Sequence, residues 1–496
     1  MLIVPNRNDY FRLTGNSKRV PVCGEKFVPN LSVPLLYREF FKDREDSFLL
    51  ESGKGPETTA RYSFLGASNS RSIKIKGDAA FLMDESASVP VELDPLEALE
   101  RLNFEDQTQP VSSLPHFWGG WVGIIGYELA GLFENLPDRK RGDLKTPDLY
   151  MIQVEHLLVY DHKKEILKVI VSRESGDYSA IVDAVRDSWT RIDKIIAGGE
   201  ENPEAVTGDP KASAGNNEAG LQADMTRREY VESVGRAKKY IEEGDIYQAN
   251  LSQRFATPYR GDPFDLYFDL RSVNPAPFSG LLKFRDFAIV SSSPERLVKV
   301  ENNNVETRPI AGTRPRSPDP VTDRSLSAEL LLNDKERAEH LMLVDLERND
   351  LGRICKTGSV HVSDLMFLEQ YSHVSHIVSN IKGELLPEVS VRDILRAVFP
   401  GGTITGCPKV RCMEIIGELE PTSRGPYCGS FGYIGFSRNM DLNIIIRSIL
   451  LKDGKACFHV GAGIVADSSP EKEYMETLNK AEAMILVLSG KKNGGR

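Results

Sequence analysis

The sequence has few cysteines, and their spacing suits neither a disulfide framework nor a zinc site. Six cysteines are spread over 496 residues, and none forms a Cys-x-x-Cys pair. Cys407 and Cys412 are the nearest two, but no histidine stands beside them to complete a metal site. Disulfide-stabilised scaffolds are short and rich in cysteine. The composition therefore indicates free thiols in a reducing compartment, and we predict a cytoplasmic protein.

Long apolar runs and an excess of basic residues are also missing. No run approaches the roughly 18 uninterrupted apolar residues of a membrane span. The first residues, MLIVPNRNDYF, lack the pattern of a signal peptide. Lys and Arg number 62 against 72 Asp and Glu, for a net charge of −10. A broad nucleic-acid surface is therefore not expected. We predict neither a membrane nor a nucleic acid as partner.

The remaining composition is that of a globular protein with more than one domain. Hydrophobic residues make up 40% and charged residues 27%. The stretch GGEENPEAVTGDPKASAGNNEAG is rich in Gly, Asn, Pro and small polar residues, which is typical of a linker. We therefore divide the chain into an N-terminal domain (1–197), a flexible linker (198–224), a second domain (225–490) and a short tail (491–496).

Local patterns predict a mixture of helices and strands. Short apolar runs such as 149–160, 166–171 and 443–451 indicate strands. Apolar residues at helical spacing predict a helix over 176–196, and Thr226 with Glu229 forms a capping-box pair at the start of another. Because no regular strand–helix–strand rhythm is present, the pattern indicates an α+β fold.

An acidic segment with helical spacing stands at 334–350, DKERAEHLMLVDLERND. Leu341 and Val344 can bury one side of this helix while Glu336 and Glu339 project from another. A carboxylate that projects beside a pocket is a good ligand for a hard divalent cation. A solvated face with ion pairs one turn apart would explain the same spacing, so the pattern alone leaves both readings open.

Two glycine-rich turns precede helices in the second half. The first, FPGGTITGCPKVRCME, does not have the spacing of a Walker A loop. The second opens GAGIVADSSPEKEYMETLNKA. There, Gly461 and Gly463 let backbone amides approach a carboxylate, and Glu473 and Glu476 lie nearly one turn apart. Tight structural turns remain the alternative for both segments.

Two further segments carry candidate site residues. In RPIAGTRPR the Thr313 hydroxyl lies beside Gly312, and Arg314 and Arg316 offer a fork for a carboxylate. In YSHVSHIVS the spacing of the two histidines puts them on opposite faces of a strand, which argues against a zinc pair. His376 is then either a core histidine or a site residue. Together the segments indicate a pocket for a small anion with a divalent cation.

Five of these segments, in this order, resemble the chorismate-utilising enzymes. They are PIAGTRPR, DKERAEHLMLVDLERNDLGR, YSHVSHIVS, FPGGTITGCPKVRCMEIIGELEP and GAGIVADSSPEKEYMETLNKA. The similarity is to the large subunits of anthranilate synthase and aminodeoxychorismate synthase, with isochorismate and salicylate synthases as cousins. It is dense from 226 to 488. It is looser in the N-terminal half, through SFLLESGKGPETTARYSFLG and FWGGWVGIIGYE.

The resemblance implies a fold, a cofactor and roles for particular residues. The fold would be two mixed sheets packed as a sandwich with surrounding helices, with regulation in the N-terminal half and catalysis in the second. Mg²⁺ would be the cofactor, held by Glu339 and Glu476. His376, Thr313 and Gln248 would take part in the chemistry. The residues that would bind chorismate are Gly312, Thr313, Thr403, Tyr427, Arg447, Gly461, Ala462 and Gly463.

The type of reaction rests on Gln248. In the isochorismate and salicylate relatives a lysine at this place activates water, and glutamine cannot deprotonate water. Ammonia needs no such base. We therefore expect amination of chorismate rather than hydration. The remaining alternative is a relative without catalytic activity that only senses tryptophan or chorismate, although the presence of the family's site residues argues against it.

Two families of the relatives aminate chorismate, and they form different products. Ala311 is the anthranilate-synthase form, but a subclass of aminodeoxychorismate synthases also resembles it. The segments NPAPFSG and MDLNIIIRS favour aminodeoxychorismate synthase, and we take this as the first reading and anthranilate synthase as the second. None of the six cysteines has the setting of an amidotransferase nucleophile, so we expect a separate glutamine amidotransferase subunit that supplies ammonia. Tryptophan is a possible inhibitor, at a pocket formed by Leu50, Glu51, Ser52 and Pro277.

Overall fold

The computed structural model describes residues 1–51, 61–84, 90–105, 110–137, 143–174, 177–198, 220–370 and 374–490. Within these ranges the chain forms two large antiparallel sheets with helices around them. The helices are α1 (Arg7–Thr14), α2 (Val33–Phe41), α3 (Pro95–Glu100), α4 (Tyr178–Gly198), α5 (Arg227–Glu242), α6 (Pro263–Val273), α7 (Pro320–Leu332), α8 (Asp334–Gly352), α9 (Val391–Val398), α10 (Lys409–Leu419) and α11 (Pro470–Leu488).

The first sheet has 13 strands in the described part of the chain. Its spatial order is β1-β2-β11-β10-β4-β3-β14-β15-β24-β25-β13-β12, and β21 also pairs with β13. In chain order these strands are β1 (Leu2–Val4), β2 (Val22–Phe27), β3 (Ser47–Glu51), β4 (Tyr62–Ala67), β10 (His156–Asp161), β11 (Ile166–Val171), β12 (Gln222–Ala223), β13 (Gln248–Pro258), β14 (Phe278–Lys283), β15 (Phe287–Ser293), β21 (Gly406–Cys407), β24 (Ser448–Lys452) and β25 (Lys455–Ile464).

The second sheet has 12 strands among the described residues, in the order β18-β20-β17-β16-β23-β22-β8-β9-β5-β6-β7, with β19 also paired to β20. In chain order they are β5 (Ser72–Lys76), β6 (Ala79–Met83), β7 (Val91–Leu93), β8 (Gly120–Ile125), β9 (Leu149–Val154), β16 (Arg296–Glu301), β17 (Asn304–Thr307), β18 (Ile310–Pro315), β19 (His361–Gln370), β20 (Val374–Glu384), β22 (Ser430–Gly435) and β23 (Asn439–Asn443).

The two sheets pack face to face. Phe48 and Leu157 of the first sheet share a buried cluster with Val122 and Phe431 of the second. The outer faces are covered by helices: Trp189 of α4 is buried in the cluster that covers the first sheet, and a second cluster joins α8 and α9 to the other sheet. Burial of this apolar surface is the main force that holds the layers together. The predicted α+β sandwich with surrounding helices is therefore confirmed, but its sheets are antiparallel in the described residues rather than mixed.

Both sheets are continuous across the two halves of the chain. In the first, β3 pairs with β14, with Leu49 opposite Leu281. In the second, β8 pairs with β22, with Ile124 opposite Phe431. Residues 199–219 of the predicted linker and the predicted tail at 491–496 lie outside the described residues. The proposed domain boundaries stay a prediction, and the halves are joined by backbone ladders in two places.

Several local predictions can be compared directly with the structure. The helix expected over 176–196 is α4, and the Thr226–Glu229 capping box is present at the start of α5. The single strand expected over 443–451 is wrong, because β23 ends at Asn443 and Arg447 has a left-handed backbone with φ of 50°. The cysteines are free. No helix in the described ranges is long and apolar enough to cross a membrane.

Candidate active site

One wall of the site is formed where β25 runs beside β13. Asn250 pairs with Gly463 and Ser252 with Gly461 in this antiparallel ladder. A Cβ atom on Gly463 would lie 2.6 Å from Nε2 of Gln248. One on Gly461 would lie 2.7 Å from the Tyr427 hydroxyl. Glycine at both positions therefore lets the polar ends of these two side chains reach the strand. The expected approach of a carboxylate to the backbone amides stays a prediction.

Ala462 contributes to this wall only through its backbone. Its side chain is fully buried in the cluster that packs α5 and α10 against the sheet. Because side chains alternate along a strand, burial of Ala462 turns its neighbours Gly461 and Gly463 to the opposite face. The glycine turn that the sequence predicted here is wrong, because these three residues lie within β25 and pair with β13. This part of the strand separates a core residue from two positions that face polar groups.

His376 lies across a second strand pair, β18 and β20. A register shift between Ala311 and Thr313 marks a bulge at Gly312, whose φ is +69°. Nδ1 of His376 is 3.0 Å from the Thr313 hydroxyl and 3.3 Å from the Gly312 carbonyl oxygen. A carbonyl only accepts, so this contact places the ring proton on Nδ1 and the lone pair on Nε2.

The charge state of His376 follows from its burial. Desolvation is the main cause that lowers its pKa, to about 4, and the nearby charge of Arg447 lowers it further. The imidazole is therefore neutral at neutral pH and can accept a proton or a hydrogen bond through Nε2. The structure thus brings Gly312, Thr313, His376 and Arg447 together, as the sequence predicted.

A group of carboxylates converges from α8 and α11. Burial raises the pKa of Glu339, and the negative charges of Glu336, Glu473 and Glu476 raise it further. Burial also raises the pKa of Glu473, with Glu476 adding to the effect. Like charges gathered in this way are stabilised by a bound cation. Two acidic residues that the sequence assigned to one ion, Glu339 and Glu476, therefore lie within electrostatic reach of each other.

Two of these carboxylates are paired with lysines. Lys335 Nζ lies 3.8 Å from Glu339, and Lys480 Nζ lies 2.8 Å from Glu476. Among the residues that the structure describes, no group of three or more His, Cys, Asp or Glu is arranged to hold a metal ion. The donor set nevertheless suits Mg²⁺, which prefers carboxylate oxygens and keeps several waters. Glu339 and Glu476 are the residues that would hold it.

Two site residues were missed by sequence reasoning. Lys480 donates to the carbonyl oxygen of Gly461 at 3.0 Å, which places its ammonium beside this part of β25. Glu295 is buried where β15 leads into β16, near Thr403, and burial raises its pKa to about 7 while Thr403, Arg447 and Lys480 act in the opposite direction. The run Ser-Ser-Ser-Pro-Glu after an apolar strand was the available signal.

The two arginines expected to hold a substrate carboxylate have other partners. Arg314 lies 3.1 Å from Glu329 and 3.2 Å from Glu336. Arg316 binds Asp323 through two nitrogens, at 2.7 and 2.8 Å. Their guanidinium groups are used to hold α7 and α8 against β18. Arg447 and Lys480 are instead the cations whose charges act on the buried Glu295.

A separate cavity of about 70 Å³ opens at the junction of the two halves. Leu50, Glu51, Pro277 and Ser279 are among its lining residues. Ser52, the fourth residue expected there, lies outside the described residues. The Glu51 carboxylate accepts hydrogen bonds from Arg271 at 2.6 and 2.7 Å and from Tyr267 at 2.7 Å. Its charge is thus already compensated within the protein.

Comparisons with known proteins define the class. The family model described as chorismate binding enzyme matches residues 45–486. The chain therefore belongs to the family of chorismate-binding enzymes. It is 40% identical over 474 residues to anthranilate synthase component 1 of Acetivibrio thermocellus, covering 95% of each chain. It is 39% identical over 474 residues to aminodeoxychorismate synthase component 1 of Bacillus subtilis, covering 95% of this chain and 96% of that protein.

A solved structure supports the same class. The crystal structure of anthranilate synthase component I from Streptococcus pneumoniae superposes with a TM-score of 0.75 at 35% identity. The match covers 86% of this chain and 92% of that one. Because similar relatives carry both names, the chain is an enzyme similar to component I of either anthranilate synthase or aminodeoxychorismate synthase.

Proposed function

We propose that the protein is a Mg²⁺-dependent enzyme that aminates chorismate to 4-amino-4-deoxychorismate, with ammonia from a separate glutamine amidotransferase subunit. The observation that carries this proposal is the convergence of Glu339, Glu473 and Glu476, with Lys480 beside Glu476. The charges of Lys480 and Arg447 both act on the neighbouring Glu295. A site of this charge pattern suits a metal ion and a substrate with two carboxylates.

Chorismate carries two carboxylates, a ring hydroxyl and a cyclohexadiene ring. We assign one carboxylate to the wall formed by Gly461, Gly463 and Lys480, with Tyr427 and Arg447 beside it. Backbone amides and a nearby ammonium are a favourable setting for an anion. The second carboxylate lies toward Glu339 and Glu476, where bound Mg²⁺ would neutralise its charge.

Loss of the ring hydroxyl needs a proton. Glu295 is buried and its pKa is raised to about 7, so a substantial fraction is protonated at neutral pH. We assign it as the proton donor to the leaving oxygen. His376 is neutral and its Nδ1 is held by Thr313 and Gly312, which leaves Nε2 to accept a hydrogen bond from the ring side of the site.

The side chain of Gln248 supports ammonia, rather than water, as the nucleophile. Its Oε1 atom is buried without a hydrogen-bond partner among the described residues, while its Nε2 faces Gly463. An amide oxygen accepts a hydrogen bond but does not remove a proton from water. It can orient ammonia, whose neutral form already attacks carbon. These properties support amination and argue against isochorismate formation.

The second candidate product is anthranilate, which requires the further elimination of pyruvate. The relatives include both kinds of enzyme at nearly equal identity. Ala311 provides no amine that would form a covalent intermediate, so both routes here would use ammonia as the nucleophile. The segments NPAPFSG and MDLNIIIRS resemble aminodeoxychorismate synthases more closely, and this resemblance supports the first product.

One product assay separates these readings. The purified chain is incubated with chorismate, Mg²⁺ and an ammonium salt, and the products are resolved by chromatography before and after addition of an aminodeoxychorismate lyase. A compound that the lyase converts to p-aminobenzoate supports the proposal. Direct formation of fluorescent anthranilate supports the second candidate. Isochorismate as the main product would contradict amination, and unchanged chorismate would support a sensor without catalytic activity.

We also propose that the cavity lined by Leu50 and Pro277 binds tryptophan. It is lined by aromatic and aliphatic side chains together with Asp441 and Asn443. Asp441 binds Arg296 through two nitrogens, at 2.9 and 3.1 Å, and Arg296 directly follows Glu295. A ligand that moves Asp441 would therefore act on β16, whose first residue directly follows the proposed proton donor.

A further inference from the structure

Glu347 is a buried carboxyl group that takes no direct part in the proposed reaction. It lies on α8, two helical turns beyond Glu339, and it is 9% exposed. Residues four and eight positions apart on a helix lie on the same side. The helix that presents Glu339 to the substrate therefore places Glu347 deeper, toward the strands behind the site.

The contacts of Glu347 imply a proton count. The Thr307 hydroxyl is 2.6 Å from Oε2 of Glu347 and 3.0 Å from the carbonyl oxygen of Leu297. A hydroxyl has one hydrogen to donate, and a carbonyl oxygen only accepts. If Thr307 donates to Leu297, the short contact with Glu347 requires the hydrogen to come from Glu347. Both contacts are satisfied only when Glu347 is a carboxylic acid.

The charged groups around Glu347 favour the same form. Burial is the main cause that raises the pKa of the Glu347 carboxyl, and the charges of Glu295 and Asp350 raise it further. The hydrogen bond with Thr307 and the charge of Lys409 act in the opposite direction. The ammonium of Lys409, however, is bound to Asp350 at 2.6 Å. In the part of the chain that the structure describes, no Lys, Arg or His nitrogen lies within 4.0 Å of the Glu347 carboxyl. An ionised carboxylate there would be buried beside another carboxyl without an ion partner.

The hydrogen bonds that join Glu347, Thr307 and Leu297 end at a β-bulge close to Glu295. The register of β16 with β23 shifts between Arg296 and Val298, so Leu297 is the extra residue of a bulge. A bulge redirects the side chains beside it and disturbs the local ladder. The Thr307 hydroxyl supplies a partner for the carbonyl of Leu297, only two residues from Glu295.

We propose that Glu347 is held as an uncharged carboxylic acid that donates to Thr307, and that this pair fixes the bulge that positions Glu295. Glu347 is a positioning residue, because it acts on substrate only through another side chain. The inference concerns the site of the proposed function and relies on that function only for its activity measurement; the protonation state is tested without turnover.

The direct test is infrared spectroscopy of the whole chain in heavy water. Spectra are recorded at about pH 8, above the pKa of about 7 of Glu128 and Glu295. We expect a carbonyl band of a protonated carboxylic acid in the wild type and its loss in Glu347→Gln. Asp345→Asn, at an exposed position on the same helix that pairs with Arg348, is the matched control and should keep the band. A wild type without the band, or a band that survives in Glu347→Gln, would overturn the proposal.

The activity test separates hydrogen bonding from charge. An amide at position 347 still donates to Thr307, so Glu347→Gln should keep kcat within a few-fold. Glu347→Leu has a similar volume but cannot donate, and we expect kcat to fall roughly 10- to 100-fold with KM nearly unchanged, as for a misplaced catalytic group. Thr307→Val should act like Glu347→Leu, and Thr307→Ser should restore activity. Equal activity of Glu347→Leu and Glu347→Gln would contradict the positioning role.

Discussion

Gly463→Ala offers a sharp test of the role of Gln248. The new Cβ would lie 2.6 Å from the Gln248 Nε2 atom, with the next nearest atom, Cδ of Gln248, at 3.6 Å. Non-bonded heavy atoms are comfortable at about 3.5 Å, so the amide must move by about 1 Å. The atom that must move is the end of a flexible side chain, so the backbone ladder between β13 and β25 need not change.

This geometry predicts a loss of activity with little loss of stability. A displacement of 1 Å in a group that orients a reactant costs up to about 100-fold, and we expect kcat for ammonia-dependent amination to fall by roughly 10- to 100-fold. The melting temperature should change by no more than a few degrees, equivalent to less than about 1 kcal/mol. Steady-state kinetics with saturating ammonium and thermal unfolding measure the two quantities on the same preparation.

The control uses a glycine with free space around it. Nothing lies within 4 Å of a Cβ placed on Gly235 in α5. Gly235→Ala should stabilise the protein by about 0.5–1 kcal/mol, because alanine is a better helix former, and should leave kcat unchanged. Wild-type activity in Gly463→Ala would refute the assignment of Gln248 to the nucleophile. A large loss of stability in that variant would refute the argument that only a flexible side chain must move.

Three further outcomes follow from the site. Glu339→Gln and Glu476→Gln should each abolish the saturable binding of Mg²⁺ that calorimetry measures. Glu471→Gln, at the exposed start of the helix α11 that also carries Glu476, should leave this binding intact. Mg²⁺ binding that is retained in both Glu339→Gln and Glu476→Gln would contradict the metal assignment. Because the pKa of Glu295 is raised to about 7 in the folded state, its contribution to stability is lost as pH rises from about 4.5 to 7. The unfolding constant of the wild type relative to Glu295→Gln should therefore increase by at most about tenfold per pH unit over that range in chemical denaturation, and a flat ratio would refute the assignment. Tryptophan at 100 times its Kd should stabilise the protein by about 2.7 kcal/mol in thermal unfolding. Ser279→Trp should remove this effect by filling the cavity. A melting temperature of the wild type that does not change with tryptophan would exclude the cavity as a tryptophan site.

Local sequence patterns predicted the elements that depend on neighbouring residues. The capping box at Thr226 and the helix α4 could be identified from residues within a few turns of each other, and both are present. The expected strand over 443–451 failed because apolar composition does not reveal a left-handed residue inside the run. Arg447 breaks the strand at that point, and its charge reaches both His376 and Glu295.

The candidate site was only partly visible before the fold was known. Motif resemblance indicated Glu339, Glu476 and His376 as site residues. In the structure the charge of Glu476 reaches Glu339, and His376 contacts Thr313 and Gly312. Glu295 and Lys480 were missed because each is an ordinary charged residue in its own segment. Their roles depend on burial and on contacts with residues distant in the chain, neither of which a local pattern contains.

The amino-acid sequence by itself determined the class of fold, the chorismate-binding family and the segments that carry its chemistry, because these follow from local periodicity and contiguous motifs. Tertiary packing alone decided which groups meet. The two sheets join both halves of the chain and bring the helices α8 and α11 together, so that carboxylates from distant segments share one region. Packing also decided charge states, because burial and neighbouring charges, rather than residue type, leave His376 neutral and raise the pKa of Glu295.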